Sequence, residues 1–382
     1  MNKYALYIVA VLLAACNNDV LTDAGADVSP STDAIRFQLA DDALTRGTPV
    51  TSATITDGSF RIYATTERDG HKAVFIDYDA GHDNTVSYVD GSWQTATTYF
   101  WPYNSYSVDF YAVYPSTAGI PLAANLLTTP SLTFTGAAGS MIDGNTDLLV
   151  AKTTESRGDR TADSNEAVLI DFSHALSQIS FKGMLNEPFQ LKGYHVSVKG
   201  IALRQVNCAG TLDMTQWTTT TDGDGNPRPM LAATAFTPDV DNEGYPNYNV
   251  DYTFPMEVTE ITDTAVLLSA DVAMLMPQTL KGWLYETETI AATHGCYIDV
   301  LLHITNAGGD DLLGTAADYA HAYVPLAATW QPGKHYAYTL SFGGGYDADG
   351  HPYFGLTAIG ITTTVSDWIS GGDPIQGQAH FE

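Results

Sequence analysis

Beyond Phe60 the chain is written in short apolar runs of period two, each closed by Gly, Pro, Asn or Asp, with almost no stretch of helical period. That rhythm predicts strands joined by tight polar turns and argues for antiparallel sandwiches. Ahead of it, Ile35, Phe37 and Leu39 alternate with Arg36 and Gln38, the pattern of a half-buried strand. Phe60 to Thr66, Ala73 to Asp77 and Thr85 to Val89 follow, the last closed by the turn pair Asp90-Gly91. Val108, Phe110, Ala112 and Tyr114 alternate up to Pro115 and predict a central strand, whereas the unbroken Leu148-Leu149-Val150 predicts one covered on both faces. Lys152 to Glu166 holds no apolar residue larger than Ala and has the composition of a linker. After it the rhythm restarts at Val168, Ile170 and Phe172. It continues through Tyr194 to Val206, with a register shift at Gly200, and through Ala265 to Ala270, Val272 to Met276, Tyr297 to Ile304 and Tyr336 to Phe342. Ile359, Ile361, Thr363 and Val365 form the last run, ahead of Asp367-Trp368. The expectation is an all-β chain of two antiparallel β-sandwich domains in tandem, residues 33–160 and 161–382.

The 382 residues include 44 Asp and Glu against 16 Lys and Arg, a formal charge of -28. A phosphate backbone would be repelled, so no nucleic-acid partner is expected. The same acidity opposes adsorption to anionic lipid, so attachment to a membrane would need another device. One is present at the start of the chain. Met1 to Lys3 give a positive beginning, Tyr4 to Ala15 form an apolar segment shorter than the roughly 20 residues of a spanning helix, and Leu13-Ala14-Ala15-Cys16 closes it. That ending resembles the lipobox of bacterial lipoproteins. Residues 1–15 then read as a signal peptide and Cys16 as the lipidation site, with an ordinary signal followed by a chance Cys as the alternative. Residues 16–32, mostly small and polar, read as a flexible tether. Cys208 and Cys296 remain, either as buried thiols or as a disulfide.

Catalysis finds no foothold. No nucleophile elbow, HExxH, Walker loop or GxGxxG after a strand is present, the ten His are scattered, and no cofactor or metal is expected. Asp222-Gly223-Asp224-Gly225-Asn226 spaces oxygens as calcium loops do but lacks the downstream bidentate Glu. Turn chemistry explains it, as it explains Asp347-Ala348-Asp349-Gly350. His174 reads as a structural histidine. Trp93, Tyr99, Phe100, Trp101 and Tyr103 could stack on sugar rings or pack a core. Arg46, beside Gly47 and ahead of Pro49 in the polar stretch 41–49, is the kind of exposed site that proteases cut.

Several stretches together resemble the fimbrillin-like family of Bacteroidales, the subunits of type V pili. They are Tyr99-Phe100-Trp101-Pro102 with Trp93, Val108 to Pro115, Asp147 to Ala151, Phe172 to Phe181, Met274 to Gln278 and Trp330 to Tyr336, in that order behind the lipobox. The resemblance implies two transthyretin-like β-sandwich domains and export as a lipoprotein to the cell outer membrane, held there through lipid on Cys16. It further implies assembly with other pilin subunits of the same or related kind, and adhesion to a host or bacterial surface ligand without enzymatic activity. It also implies a route to the polymer: a trypsin-like protease cuts between Arg46 and Gly47, the strand at Ile35 to Leu39 leaves its slot, and a strand from the next subunit enters. Ile359, Ile361, Thr363 and Val365 are the candidate donor strand, an ordinary last strand of the second domain being the alternative. A cell-surface glycan-binding sandwich is the competing function, and it requires exposed aromatic rings on one face.

Overall fold

The computed structural model describes residues 34–40, 55–77, 83–102, 107–116, 126–136, 142, 144–156, 166–221, 225, 227–269, 271–368 and 377–378. In the first half the strands are β1 (Phe37–Leu39), β2 (Ser59–Arg68), β3 (His71–Ile76), β4 (Thr85–Val89), β5 (Ser92–Thr95), β6 (Ser107–Tyr114), β7 (Ser131–Thr135), β8 (Leu149–Ser156), β9 (Val168–Ile170) and β10 (Ser173–His174). Nine of them, all but β7, form one sheet in the order β10-β8-β6-β2-β4-β5-β1-β9, with β3 also on β2. Its two ends approach each other, since Thr153 Oγ1 of β8 donates to Leu169 O of β9 at 2.8 Å. The wrapped sheet encloses a core of Phe37, Phe60, Ile62, Trp93, Trp101, Phe110, Leu149, Ile170 and Phe172 among others. Asp90 and Gly91 both take positive φ, 50° and 82°, the backbone that joins β4 to β5 with the twist of a two-residue hairpin.

The second half continues with β11 (Ser177–Leu185), the helix α1 (Glu187–Lys192), β12 (His195–Asn207), β13 (Ala209–Asp213), β14 (Trp217–Thr221), β15 (Pro227–Leu231), β16 (Phe236–Pro238), β17 (Asn249–Phe254), β18 (Thr259–Ile261), β19 (Val266–Leu267) and β20 (Ala273–Leu275). Then come β21 (Thr279–Leu280), β22 (Tyr297–Thr305), β23 (Asp311–Leu313), β24 (Ala320–Pro325), β25 (Ala328–Thr329), β26 (Lys334–Phe342), β27 (Gly360–Asp367) and β28 (Gly377–Gln378). Two sheets face each other here. One runs β19-β11-β26-β27-β28 with β20 on β11, and the other β17-β12-β22-β23 with β18 on β12 and β24 on β22. Between them lie Phe181, Tyr338, Leu340 and Phe342 from the first sheet against Val198, Leu203, Val300 and Leu302 from the second. The register of β12 shifts between Val198 and Gly200, where the sequence places it.

The all-β sandwich expectation holds, with two differences that have physical causes. β1 with β9 and β11 with β26 run parallel, which a period-two pattern cannot reveal because it encodes faces and not direction. The expected division at 160/161 does not separate the sheets: β9 and β10 belong to the first sheet, and β7 pairs with β13 in a three-stranded sheet. That small sheet covers the outer face of β2, β6 and β8 through a third core of Tyr63, Tyr111, Val113, Leu132, Phe134, Val150, Leu212 and Met276. The alternate residues Leu149 and Ala151 enter the wrapped core instead, so β8 is covered on both faces. Lys152 to Ser156, read as the start of a linker, continue β8 against β6 as far as Ser107 opposite Ser156. Cys208 and Cys296 are buried free thiols.

Candidate functional site

β1 lies between two neighbours that it holds apart. It pairs parallel with β9 through Phe37↔Val168, Gln38↔Leu169 and Leu39↔Ile170, and antiparallel with β5 only at Phe37↔Trp93. Val168 N–H donates to Arg36 O at 2.7 Å, Ala40 N–H to Ile170 O at 3.1 Å and Ile35 N–H to Tyr99 O at 2.8 Å. Ile35 and Phe37 are buried and Leu39 is half-buried, while Arg36 and Gln38 face solvent, as alternation requires. The Phe37 ring meets Phe110 of β6 edge-to-face at 5.9 Å, so the strand is anchored into the centre of the wrapped core. Each of the two buried side chains contributes about 1.5 to 3 kcal/mol by leaving water. Among the described residues β9 has no other strand partner, so taking β1 away opens an edge on β9 as well as on β5.

A cleft of 880 Å³ runs beside β1, lined by it and by Ile55, Tyr88, Trp93, Gln94, Thr95 and Thr98 among others. Arg36 and Glu166 are the charged residues of its lining. Two residues ahead of β4, the Asp83 carboxyl is held below the usual range by the hydroxyl and then the backbone N–H of Thr85. Across the core, burial pushes the Tyr114 phenol up, and the nearby Asp147 and Asp57 add to this. Among the described residues no group of three His, Cys, Asp or Glu could hold a metal ion.

The last two described strands are tied into the sandwich. β27 pairs with β26 from Lys334↔Asp367 to Ser341↔Gly360, and beyond it β28 covers only Thr364 and Val365. Ile359 is buried, Ile361 and Val365 pack half-buried against the second core, and Thr363 is half-buried opposite Tyr338. The structure therefore places Ile361, Thr363 and Val365 in the chain's own sheet and Ile359 just ahead of it, in the second core. Two contacts fasten the end of β27: Lys334 Nζ pairs with Asp367, and the Trp368 ring stacks on His174 at 3.9 Å and 8°. His174 is buried and its Nδ1 lies 3.1 Å from Asp147, the surroundings of a structural histidine. Sequence reasoning missed that stack, since nothing local ties residue 368 to residue 174. Cys16, Arg46 and Gly47 lie outside the described residues, as do Tyr103, Arg157, Arg160 and the tail residues Ile375 and Phe381.

The aromatic cluster belongs to the core. Trp93 packs on Phe60 at 5.3 Å and Trp101 on Phe110 at 5.8 Å, both buried, leaving Phe100 as the exposed member among the described residues. A sugar platform is thus absent from that segment as described.

Fold and site together define an all-β sandwich protein whose N-terminal strand completes a sheet from between two neighbours. The chain belongs to the fimbrillin-like family, whose model matches residues 45–368. Among solved structures it is similar to a fimbrial protein from Bacteroides vulgatus, with a TM-score of 0.54 at 13% identity over 88% of this chain and 99% of that one. A fimbrial assembly protein from Parabacteroides distasonis aligns with a TM-score of 0.36 at 10% identity over 87% of this chain and 95% of that one. No curated protein matches the sequence.

Proposed function

We propose that the chain is a non-enzymatic subunit of a cell-surface fimbria that supports adhesion, exported as a lipoprotein on Cys16 and assembled by strand exchange after proteolysis at Arg46. The observation that carries this reading is the placement of β1. It is a three-residue strand with Phe37 buried in it and Ile35 buried two residues ahead, bonded on one side to a strand with no other strand partner among the described residues and paired on the other side at one residue. Arg46 lies six residues beyond Ala40. A cut there leaves β1 on a separate fragment, held only by its pockets and its ladder. Its departure would leave unpaired N–H and C=O groups on β5 and β9 beside empty apolar pockets, a combination that strand addition from another chain repairs. Head-to-tail addition of this kind need not close on itself, and where it does not it yields a fibre. The fimbrillin-like family match supports a fimbrial role.

The incoming strand is assigned to the C-terminal end, with Ile359, Ile361, Thr363 and Val365 supplying alternate side chains to the vacated slot. Its full ladder with β26 must open for this to happen. The test is electron microscopy of protein cut at Arg46, wild type beside a variant carrying Ile361→Asp and Val365→Asp. Fibres from the wild type and none from the variant support the assignment. Cut wild type that stays a monomer sinks strand exchange. Fibres from both move the donor to the tail around Ile375 and Phe381.

A further inference from the structure

We propose that the cleft between β1 and β5 is the landing site for the strand of a second copy, which pairs there with β5 before β1 leaves; this rests on the strand-exchange reading above. The two strands are joined at Phe37↔Trp93 and again where Ile35 N–H meets Tyr99 O and Ala34 pairs with Phe100. Between those ties Gln94 to Thr98 stand opposite Arg36 alone, so the second wall bows away from the first. The bow, with the pairing of β1 to β5 confined to Phe37↔Trp93, leaves the 880 Å³ cleft, within the roughly 300 to 1,000 Å³ that admits a small ligand and hence several side chains. β5 is a firm wall, because on its far side all four of its residues pair with β4, from Val86↔Thr95 to Val89↔Ser92. On its near side only Trp93 has a strand partner among the described residues.

A strand added antiparallel to β5 within this cleft runs parallel to β1, and therefore in the direction that β9 accepts. It can replace β1 from the β5 side, first at Trp93 and then along Val168 to Ile170, without turning round. A second copy is the occupant that fits, because the slot beyond the cleft takes a strand of alternate apolar residues and this chain carries one at Ile359 to Val365. Exchange through the cleft also keeps the Ile35 and Phe37 pockets and the β9 edge covered at every stage. Prior departure of β1 uncovers all of them at once.

The experiment follows, by native mass spectrometry, the rate at which the fragment ending at Arg46 separates from the body of the cut protein. It is run over a wide range of subunit concentration, for wild type and for Thr95→Trp and Thr98→Trp, two separate fillings of the cleft. The expected result is a release rate that rises in proportion to subunit concentration. In both filled variants release should be slowed about tenfold or more, the equivalent of a clash of about 1.4 kcal/mol in the barrier. A release rate independent of concentration, with fibres still forming, overturns the landing site and leaves strand exchange intact. Release at wild-type speed from both filled variants overturns it equally. A fragment that never separates, with no fibres at any concentration, overturns the landing site and the reading beneath it together. The wild-type concentration series decides the matter even if a Trp variant fails to fold.

Discussion

Replacing Phe37 by Ala should remove the principal anchor of β1. The ring is 5% exposed, meets Phe110 edge-to-face at 5.9 Å, and stands in the sheet between Trp93 and Val168. A buried Phe→Ala change costs about 3 to 5 kcal/mol where the walls cannot collapse, and here those walls are strands fixed by their own ladders. In the uncut protein the first urea transition should lose that amount, a large fraction of a typical stability of roughly 5 to 15 kcal/mol. In the cut protein the same loss falls on fragment binding, so the segment carrying β1 should dissociate about a hundred- to a few-thousand-fold more readily. Gln38→Ala on the same strand is the control, because Gln38 faces solvent and should change stability by no more than about 0.5 kcal/mol. If Phe37→Ala costs less than about 1 kcal/mol and behaves as Gln38→Ala does, β1 is not held by its pocket and the reasoning fails.

Cys16→Ser should release the protein from membranes, and a variant that still sediments after a salt wash would show that the anchor lies elsewhere. Mild trypsin should cut the folded protein first after Arg46, so first fragments beginning only at Gly158 or Thr161 would contradict the processing loop. His335 is held below its ordinary 6.5 by burial first and by nearby Lys182 second, with Ser180 Oγ 2.8 Å from its Nε2. Its folded form takes up a proton less readily than the unfolded chain, so stability is lost as pH falls through 6.5 and the loss levels off below the depressed folded value. Between about pH 7 and about pH 5 the stability of His335→Gln should therefore fall less steeply than that of wild type, and parallel curves would refute the assignment.

Much of the architecture was legible because burial leaves a periodic trace. β6 shows itself through Val108, Phe110, Ala112 and Tyr114, and β8 through an unbroken apolar run, since one face meets the wrapped core and the other the third core. Gly200 marked its bulge because the side-chain period slips there. Direction and partnership left no such trace. Nothing in Ile35 to Leu39 says that β9 lies parallel beside it, nor that β7 pairs with β13 across more than seventy intervening residues. The stretch from Lys152 to Ser156 looked like a linker because its residues are polar, yet backbone pairing with β6 holds it as a strand. The helix α1 escaped because a single turn and a half has no periodicity to count. Its signals were local: Asn186, whose Oδ1 accepts from Phe189 N–H at 3.0 Å, Pro188 in the first turn, and Gly193 at φ 65° after the last residue. For the site, alternation placed Ile35 and Phe37 in a sheet, but the cleft beside them arises from the bow at Gln94 to Thr98, which only three-dimensional pairing reveals.

Amide hydrogen exchange at Val168 tests the central claim most directly, because its N–H bonds to Arg36 O at 2.7 Å and β1 is the only strand partner of β9 among the described residues. The amide should be protected in the uncut protein, exposed in cut monomer stripped of its N-terminal fragment, and protected again in the polymer, where a strand from another copy occupies the slot. Protection that persists in the stripped monomer, or that fails to return in the polymer, would contradict strand exchange at this site.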